Sequence, residues 1–337
     1  MKFMNCTEHW GIRLSRLGIG TVQFGLDYGI NNPRGRVPYN EILRIFEMAV
    51  ESGVNLLDTS RLYGKSEESI GMALRELGIA DRFIICTKLD ISKNYKEKSD
   101  REILSEVEKA LTQSLKSLGI DSIPIYLLHV PEQRGFRNGL IWNFLQEKQK
   151  AGLVKHLGIS VVYGPKEALD AIQDPVVEVL QIPFNIFDQR WKRSGFFDEL
   201  TGMDRDIVVF SRSSYLQGLL VMEEERVPSE LSAAKGYKRL LGEIASDLGI
   251  DVKELALRYV FTVDSITSTI VGVDSLEQFK ENLSIYSQGK LSEDVVGRIE
   301  SAFADVPTSI VNPVFWKGER ERYERKVSRE VKDNEGN

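Results

Sequence analysis

Four residues in the first half of the chain have side chains that together could deliver a proton to a carbonyl oxygen: Asp58, Tyr63, Lys88 and His129. A tyrosine hydroxyl has a reference pKa of about 10, too high for ready proton release near neutrality. A lysine ammonium beside it favours the phenolate and lowers that value. A buried carboxylate such as Asp58 would keep the lysine charged and oriented, and a histidine can fix a carbonyl by hydrogen bonding. Such a set suits proton donation to oxygen while hydride arrives at carbon. Each residue alone has an ordinary structural explanation: Asp58 as a helix cap, Lys88 as a rim charge, Tyr63 as a packed loop aromatic, His129 as a satisfied core histidine.

The elements that must position them are short apolar runs. Asp58 closes residues 55–59 (NLLDT), Lys88 lies near the end of 83–89 (FIICTKL), and His129 near the end of 123–130 (IPIYLLHV). Similar runs occur at 16–24, 155–161, 176–184, 206–210 and 269–273. Between them lie amphipathic stretches at 40–52, 67–77, 100–118, 139–150, 165–172, 240–262 and 276–286, with a loop or helix at 196–202. Strands separated by helices run parallel, because a parallel crossover needs a dozen or more residues. Continuous Ile/Val/Leu runs fit strands covered on both faces. Eight such units predict an α/β fold, a (β/α)8 TIM barrel over about residues 16–286, within a single domain covering 1–337. An open doubly wound sheet is the competing arrangement. Residues 1–15 read as a hairpin or cap under the barrel. Residues 287–337 read as a C-terminal helical extension, with a helix at 292–306 and a charged, solvated tail at 318–337.

Composition narrows the classes. Forty-four Lys plus Arg face 50 Asp plus Glu among 337 residues, a net charge of −6, with 42% hydrophobic residues. A mildly acidic chain argues against nucleic-acid or anionic-membrane partners. No charge-free apolar run approaches the roughly 18 residues a membrane span needs, and the N-terminus lacks a signal-peptide core. A cytoplasmic protein, monomeric or a weak homo-oligomer, is expected. Cys6 and Cys86 are far apart and there are three histidines, so neither a disulfide framework nor a metal centre is expected.

The stretch LLDTSRLYGKSEESIG, residues 56–71, resembles the aldo-keto reductase signature, with Asp58, Tyr63 and Glu67 in register. FIICTKL supplies the matching Lys88, IYLLHVP the matching His129, and LGIGTVQFG is similar to the family's first strand. The resemblance implies an oxidoreductase that passes hydride reversibly between NADPH or NADH and a small-molecule carbonyl or alcohol. Tyr63 would be the general acid, tuned by Lys88 and Asp58, with His129 placing the carbonyl. It also implies a cofactor path along Gly20, Thr21, Val22 and Asp58, with Ser160 and Gln181 at the carboxamide. Phe210 would stack on the nicotinamide, followed by Ser211, and Leu216, Gln217 and Gly218 would meet the pyrophosphate. Glu281 and Asn282 would contact adenine, and the C-terminal extension would run over or beside the substrate mouth, with residues 311–316 shaping specificity.

Two departures stand out. Val161 occupies the position after Ser160 where the family has Asn, so an amide partner must come from elsewhere, with Asn185 a candidate. Gly272 and Gln278 fall where relatives carry Lys and Arg for the 2′-phosphate, and Asp274 adds a negative charge. A phosphate without bidentate arginine loses much of its charge-assisted binding, which predicts a relaxed cofactor preference, favouring NADH unless Lys280 or Arg212 compensates. Asp27, Tyr28, Arg61, Lys65, Arg134, Lys192 and Arg212 fall in loops at the site, and their cations could attract an anionic or hydroxylated substrate such as a sugar. Two alternatives remain: a cofactor-binding sensor or regulatory subunit, and a Schiff-base lyase using Lys88. The lyase needs a lysine of depressed pKa.

Overall fold

The computed structural model describes residues 5–30, 32 and 34–316. Its first elements, β1 (Cys6–His9) and β2 (Ile12–Ser15), form an antiparallel hairpin. Eight strands then close a barrel: β3 (Leu17–Gly20), β4 (Leu56–Asp58), β5 (Ile84–Leu89), β6 (Ile123–Leu128), β7 (Val154–Ser160), β8 (Val179–Pro183), β9 (Val208–Arg212) and β10 (Ser268–Gly272). All neighbours pair in parallel, and β10 closes on β3.

Helices cover the outside: α1 (Val22–Gly25), α2 (Tyr39–Ser52), α3 (Ser66–Leu77), α4 (Asp100–Leu118), α5 (Leu140–Lys150), α6 (Pro165–Ala171), α7 (Arg190–Arg193), α8 (Phe196–Gly202), α9 (Ala234–Asp247), α10 (Val252–Thr262), α11 (Leu276–Ser287), α12 (Glu293–Ala302) and α13 (Thr308–Val311). Their ends follow local chemistry. Ser99 and Glu102 form a reciprocal capping box on α4, and Gly53 stops α2 in the left-handed conformation that a Cβ disfavours. The amphipathic stretch at 240–262 is two helices rather than one. Gly249 turns the chain at φ 66°, and the Asp251 side chain accepts from Glu254 N to start α10. The run at 16–24 likewise stops being strand at Gly20 and becomes the single turn α1.

Strand periodicity decides what faces inward. Leu56, Cys86, Ile125, Leu127, Val179, Val208, Phe210 and Ile270 fill the barrel interior, while alternate residues such as Leu57, Ile85, Tyr126, Leu128, Leu180 and Val209 pack under the helices. The hairpin seals one end: Leu14 joins the interior cluster, Trp10 stacks on His156 at 3.8 Å between centroids, and Ser15 N donates to Asn55 Oδ1 just before β4. The other end stays open. There, two residues past each inward apolar side chain, stand Asp58, Lys88, His129, Gln181 and Arg212. That layer is polar by sequence and convergent by topology.

Among the described residues no helix is long and apolar enough to cross a membrane, and no cluster of His, Cys, Asp and Glu could hold a metal ion. The tail at 318–337 lies outside the described residues.

Candidate active site

Lys88 is fully buried and its Nζ donates to Asp58 Oδ1 at 2.7 Å and to the Thr59 carbonyl at 2.8 Å. The same ammonium reaches the Tyr63 hydroxyl at 3.5 Å and lies 5.0 Å from the Tyr63 ring centre. Gln181 Nε2 donates to Asp58 Oδ1 at 2.7 Å, and its Oε1 accepts from Ser160 Oγ at 3.2 Å. The His129 ring stands edge-on to Tyr63 at 6.3 Å between centres, and its Nδ1 is 3.3 Å from Ser60 Oγ. The four residues singled out for chemistry therefore meet in one place.

Tyr63 arrives there on the loop between β4 and α3. Tyr63 N donates to Ser60 O, Ser66 N donates to Tyr63 O, and Ser66 Oγ donates to Thr21 O, pinning the loop to the end of β3. Gly25 of α1 lies so close behind the loop that a Cβ would sit 1.7 Å from Tyr63 O. Only glycine fits that approach. Thr87, facing outward one residue before Lys88, donates to buried Glu67 Oε1 at 2.7 Å and so fixes the first turn of α3 against β5.

Electrostatics assign protonation states. Burial works against the Lys88 ammonium, but Asp58, with Tyr63 and Cys86 adding to it, outweighs burial, and Lys88 is held above the ordinary lysine range. Such a lysine is a poor Schiff-base nucleophile, which weighs against the lyase alternative. Burial pushes the Tyr63 hydroxyl up, Lys88 pulls it down and Asp58 pushes it up again. The net direction is upward, opposite to the lowering expected from the neighbouring lysine, because burial outweighs the Lys88 and Arg212 charges and Asp58 adds to it. His129 is pulled down to about 3 by burial and by the Lys88 and Arg212 charges, so its imidazole is neutral.

These groups open into a cavity of about 760 Å³. Of the residues implied for the cofactor, Gly20, Thr21, Val22, Asp58, Ser160, Gln181, Gly218, Gly272, Gln278, Glu281 and Asn282 line it, as does Gln217. Phe210, Ser211 and Leu216 do not. Phe210 points inward one layer lower, within the interior cluster beneath Arg212. Ser211 points outward and donates to Thr269 Oγ1, and the Leu216 side chain packs in the core between barrel and helices. Asn185 is also buried away from the cavity, its Oδ1 accepting from Phe187 N.

Among the other lining residues, Gln23, Ser213 and Lys253 had no signal in the sequence, whereas Arg212 and Asn312 fall in stretches expected at the mouth. Gln23, Arg212, Ser213, Lys253 and Asn312 face the cavity. Asn312 is nearly fully buried and donates to Val162 O at 2.8 Å, tying the stretch after α13 to the mouth, with Pro313 and Val314 beside it. Arg212 was expected in a loop at the site, and it ends β9 on the inward face, as counting in twos along the strand gives. The loop after β9 is strained: Ser213, Leu216 and Gln217 adopt positive φ of 66°, 47° and 54°. Non-glycine strain of this kind concentrates where a ligand is held.

The sequence profile of the Aldo/keto reductase family matches residues 16–304. The uncharacterized oxidoreductase YqkF of Bacillus subtilis is 26% identical over 307 residues, covering 86% of this chain and 92% of the relative. The L-glyceraldehyde 3-phosphate reductase of Escherichia coli O157:H7 is 25% identical, covering 90% and 93%. The structure of the aldo-keto reductase AKR11C1 from Bacillus halodurans, in its holo form, superposes with a TM-score of 0.68 at 22% identity, covering 89% and 95%. With the profile spanning the whole barrel and the eight-stranded closure in place, the chain belongs to the aldo/keto reductase family of oxidoreductases.

Proposed function

We propose that this chain catalyses reversible hydride transfer between a nicotinamide cofactor and the carbonyl or alcohol of a small polar substrate, with Tyr63 as general acid. The observation that carries the reading is the buried Asp58–Lys88 pair reaching the Tyr63 hydroxyl beside a neutral His129. A raised hydroxyl is protonated at neutral pH and holds the proton that a carbonyl oxygen takes as it becomes an alcohol. Lys88, kept charged by Asp58, stabilises the phenolate left behind, so proton loss is favoured at the moment of transfer. A neutral imidazole donates one hydrogen bond to the carbonyl without adding charge. The site's relation to its neighbours also explains the polar layer, since each member is fixed before substrate arrives.

The cavity fits the family's cofactor. Gln23 Oε1, Gln217 Oε1 and Asp274 Oδ1 belong to lining residues and are buried without a hydrogen-bond partner, as oxygens awaiting a polar ligand would be. The bound nicotinamide would supply hydride. Gly20, Thr21, Val22, Ser160 and Gln181 would hold one end, and Gly218, Gly272, Gln278, Glu281 and Asn282 the other. At the second end Gln278 is tied to Asp274 through Asp274 N at 2.9 Å, and Lys253 is ion-paired with Glu281. Lys280 is exposed and off the cavity wall. With these cations committed or absent, NADH is the favoured cofactor.

The direct test is a panel of aldoses, sugar alcohols, sugar acids and simple aldehydes, run with both cofactors and read at the nicotinamide absorbance. Turnover in either direction supports the reading. A protein that binds dinucleotide and turns over nothing would be a sensor instead.

A further inference from the structure

Resting on that reading, we propose that Arg212 is the anion-recognition residue of the site, selecting small substrates that carry a carboxylate or phosphate close to the reacting carbonyl.

The argument begins with the cations near the mouth. Arg134 is engaged by Asp170 and Asp174, Lys192 by Glu300, and Lys253 by Glu281. Arg61 lines a separate cavity outside the barrel, and Lys65 is absent from the walls of both. Among the described residues, Arg212 and Lys253 are the only lysine or arginine side chains lining the main cavity. That leaves Arg212 as the one not spent on a carboxylate.

Its placement is not that of a rim charge. Arg212 ends β9 on the inward side of the strand, in the polar layer that holds Asp58, Lys88, His129 and Gln181. Its Nη2 donates to Val161 O at 2.9 Å and its Nη1 to Ser213 Oγ at 3.3 Å, two contacts that orient a half-buried guanidinium without neutralising it. A guanidinium carries five donors, so three remain for a ligand. Its charge reaches the catalytic groups, acting on both His129 and Tyr63. It also acts on Glu167, whose Oε2 is already held by Val162 N and Tyr163 N. A half-buried arginine with open donors and no carboxylate partner is poised to pair with an anion. An oxyanion held by its planar fork would sit in the same chamber as Tyr63 and His129, and so would orient the attached carbonyl toward them.

The test compares charged and neutral partners of similar shape: 4-oxobutanoate with butanal for the carboxylate, and glyceraldehyde 3-phosphate with glyceraldehyde for the phosphate. The wild type should favour the anionic member of one pair by about 10- to 100-fold in kcat/KM, chiefly through KM, the range for hydrogen bonds to charged groups. Arg212→Gln should collapse that ratio to near one, and Arg212→Lys should recover part of it, since charge returns without the fork. Which pair shows the preference tells carboxylate from phosphate. Calorimetry of the same three proteins with malonate and with inorganic phosphate reads anion binding without turnover, and retained thermal unfolding confirms folding of the variants. No preference in the wild type for either pair would overturn the assignment. So would a variant that loosens dinucleotide binding while keeping the ratio. If no aldehyde is reduced but wild-type protein binds malonate or phosphate and Arg212→Gln does not, the reductase reading fails while the anion site stands.

Discussion

The Asp58–Lys88 pair can be tested without any substrate. At 2.7 Å, and with an effective dielectric constant of about 20, the direct attraction is on the order of 6 kcal/mol. Desolvating two ions offsets most of it, so the pair adds little net stability over an apolar replacement. Removing one partner is different, because it strands a charge that is almost wholly inaccessible to water. Asp58→Asn keeps the shape and the acceptor for Gln181 while deleting the charge, and Lys88→Met deletes the ammonium. Each should destabilise by about 3–5 kcal/mol. The double variant should lie within about 2 kcal/mol of wild type, giving a coupling energy of several kcal/mol. Urea midpoints of the four proteins, followed by tryptophan fluorescence, measure the cycle. Two single variants that each lose less than about 1 kcal/mol, with an additive double, would refute the picture of a mutually neutralised buried pair.

Three further outcomes follow from the same geometry. His129, pulled down to about 3, should show no imidazole titration between pH 5 and 8 by NMR, and its titration near the reference value would contradict the neutral assignment. Because its folded value lies below the unfolded one, its contribution to stability is present above pH 6.5 or so and is lost as pH falls toward 3. Gly25→Ala places a methyl group where Tyr63 O now lies, so the loop must move, and activity should drop about 100-fold; an unchanged kcat would show that the loop's position does not matter. The ratio of kcat/KM for NADPH over NADH should be well below about 100, since the described cations that act on Asp274, Arg34 and Lys253, are paired with Glu41 and Glu281, and a larger ratio would place a phosphate clamp elsewhere.

Much of this site could be read from sequence because strand ends announce themselves. Asp58, Lys88 and His129 each follow an apolar run, and in a parallel barrel those runs converge. Helix pairs were harder. The break between α9 and α10 was hidden by continuous amphipathicity, although Gly249 and Asp251 carry the usual stop and start chemistry. Phe210 was expected beside the ligand, yet period-two counting puts it two residues beneath Arg212 in the interior cluster. The direction of the Tyr63 shift depended on a balance among burial, Lys88, Asp58 and Arg212 that residue types do not reveal. Asn312 falls in the stretch expected at the mouth by resemblance alone, and its bond to Val162 O answers to tertiary packing and not to any local pattern.

The role of Tyr63 is the claim on which the account turns, and Tyr63→Phe isolates it by removing one oxygen 3.5 Å from Lys88 Nζ while keeping the ring beside His129. Single-turnover oxidation of bound reduced nicotinamide by an aldehyde substrate should slow by about 100-fold or more, with dinucleotide affinity held close to wild type. Hydride transfer that survives the loss of this hydroxyl would mean that the proton comes from another group.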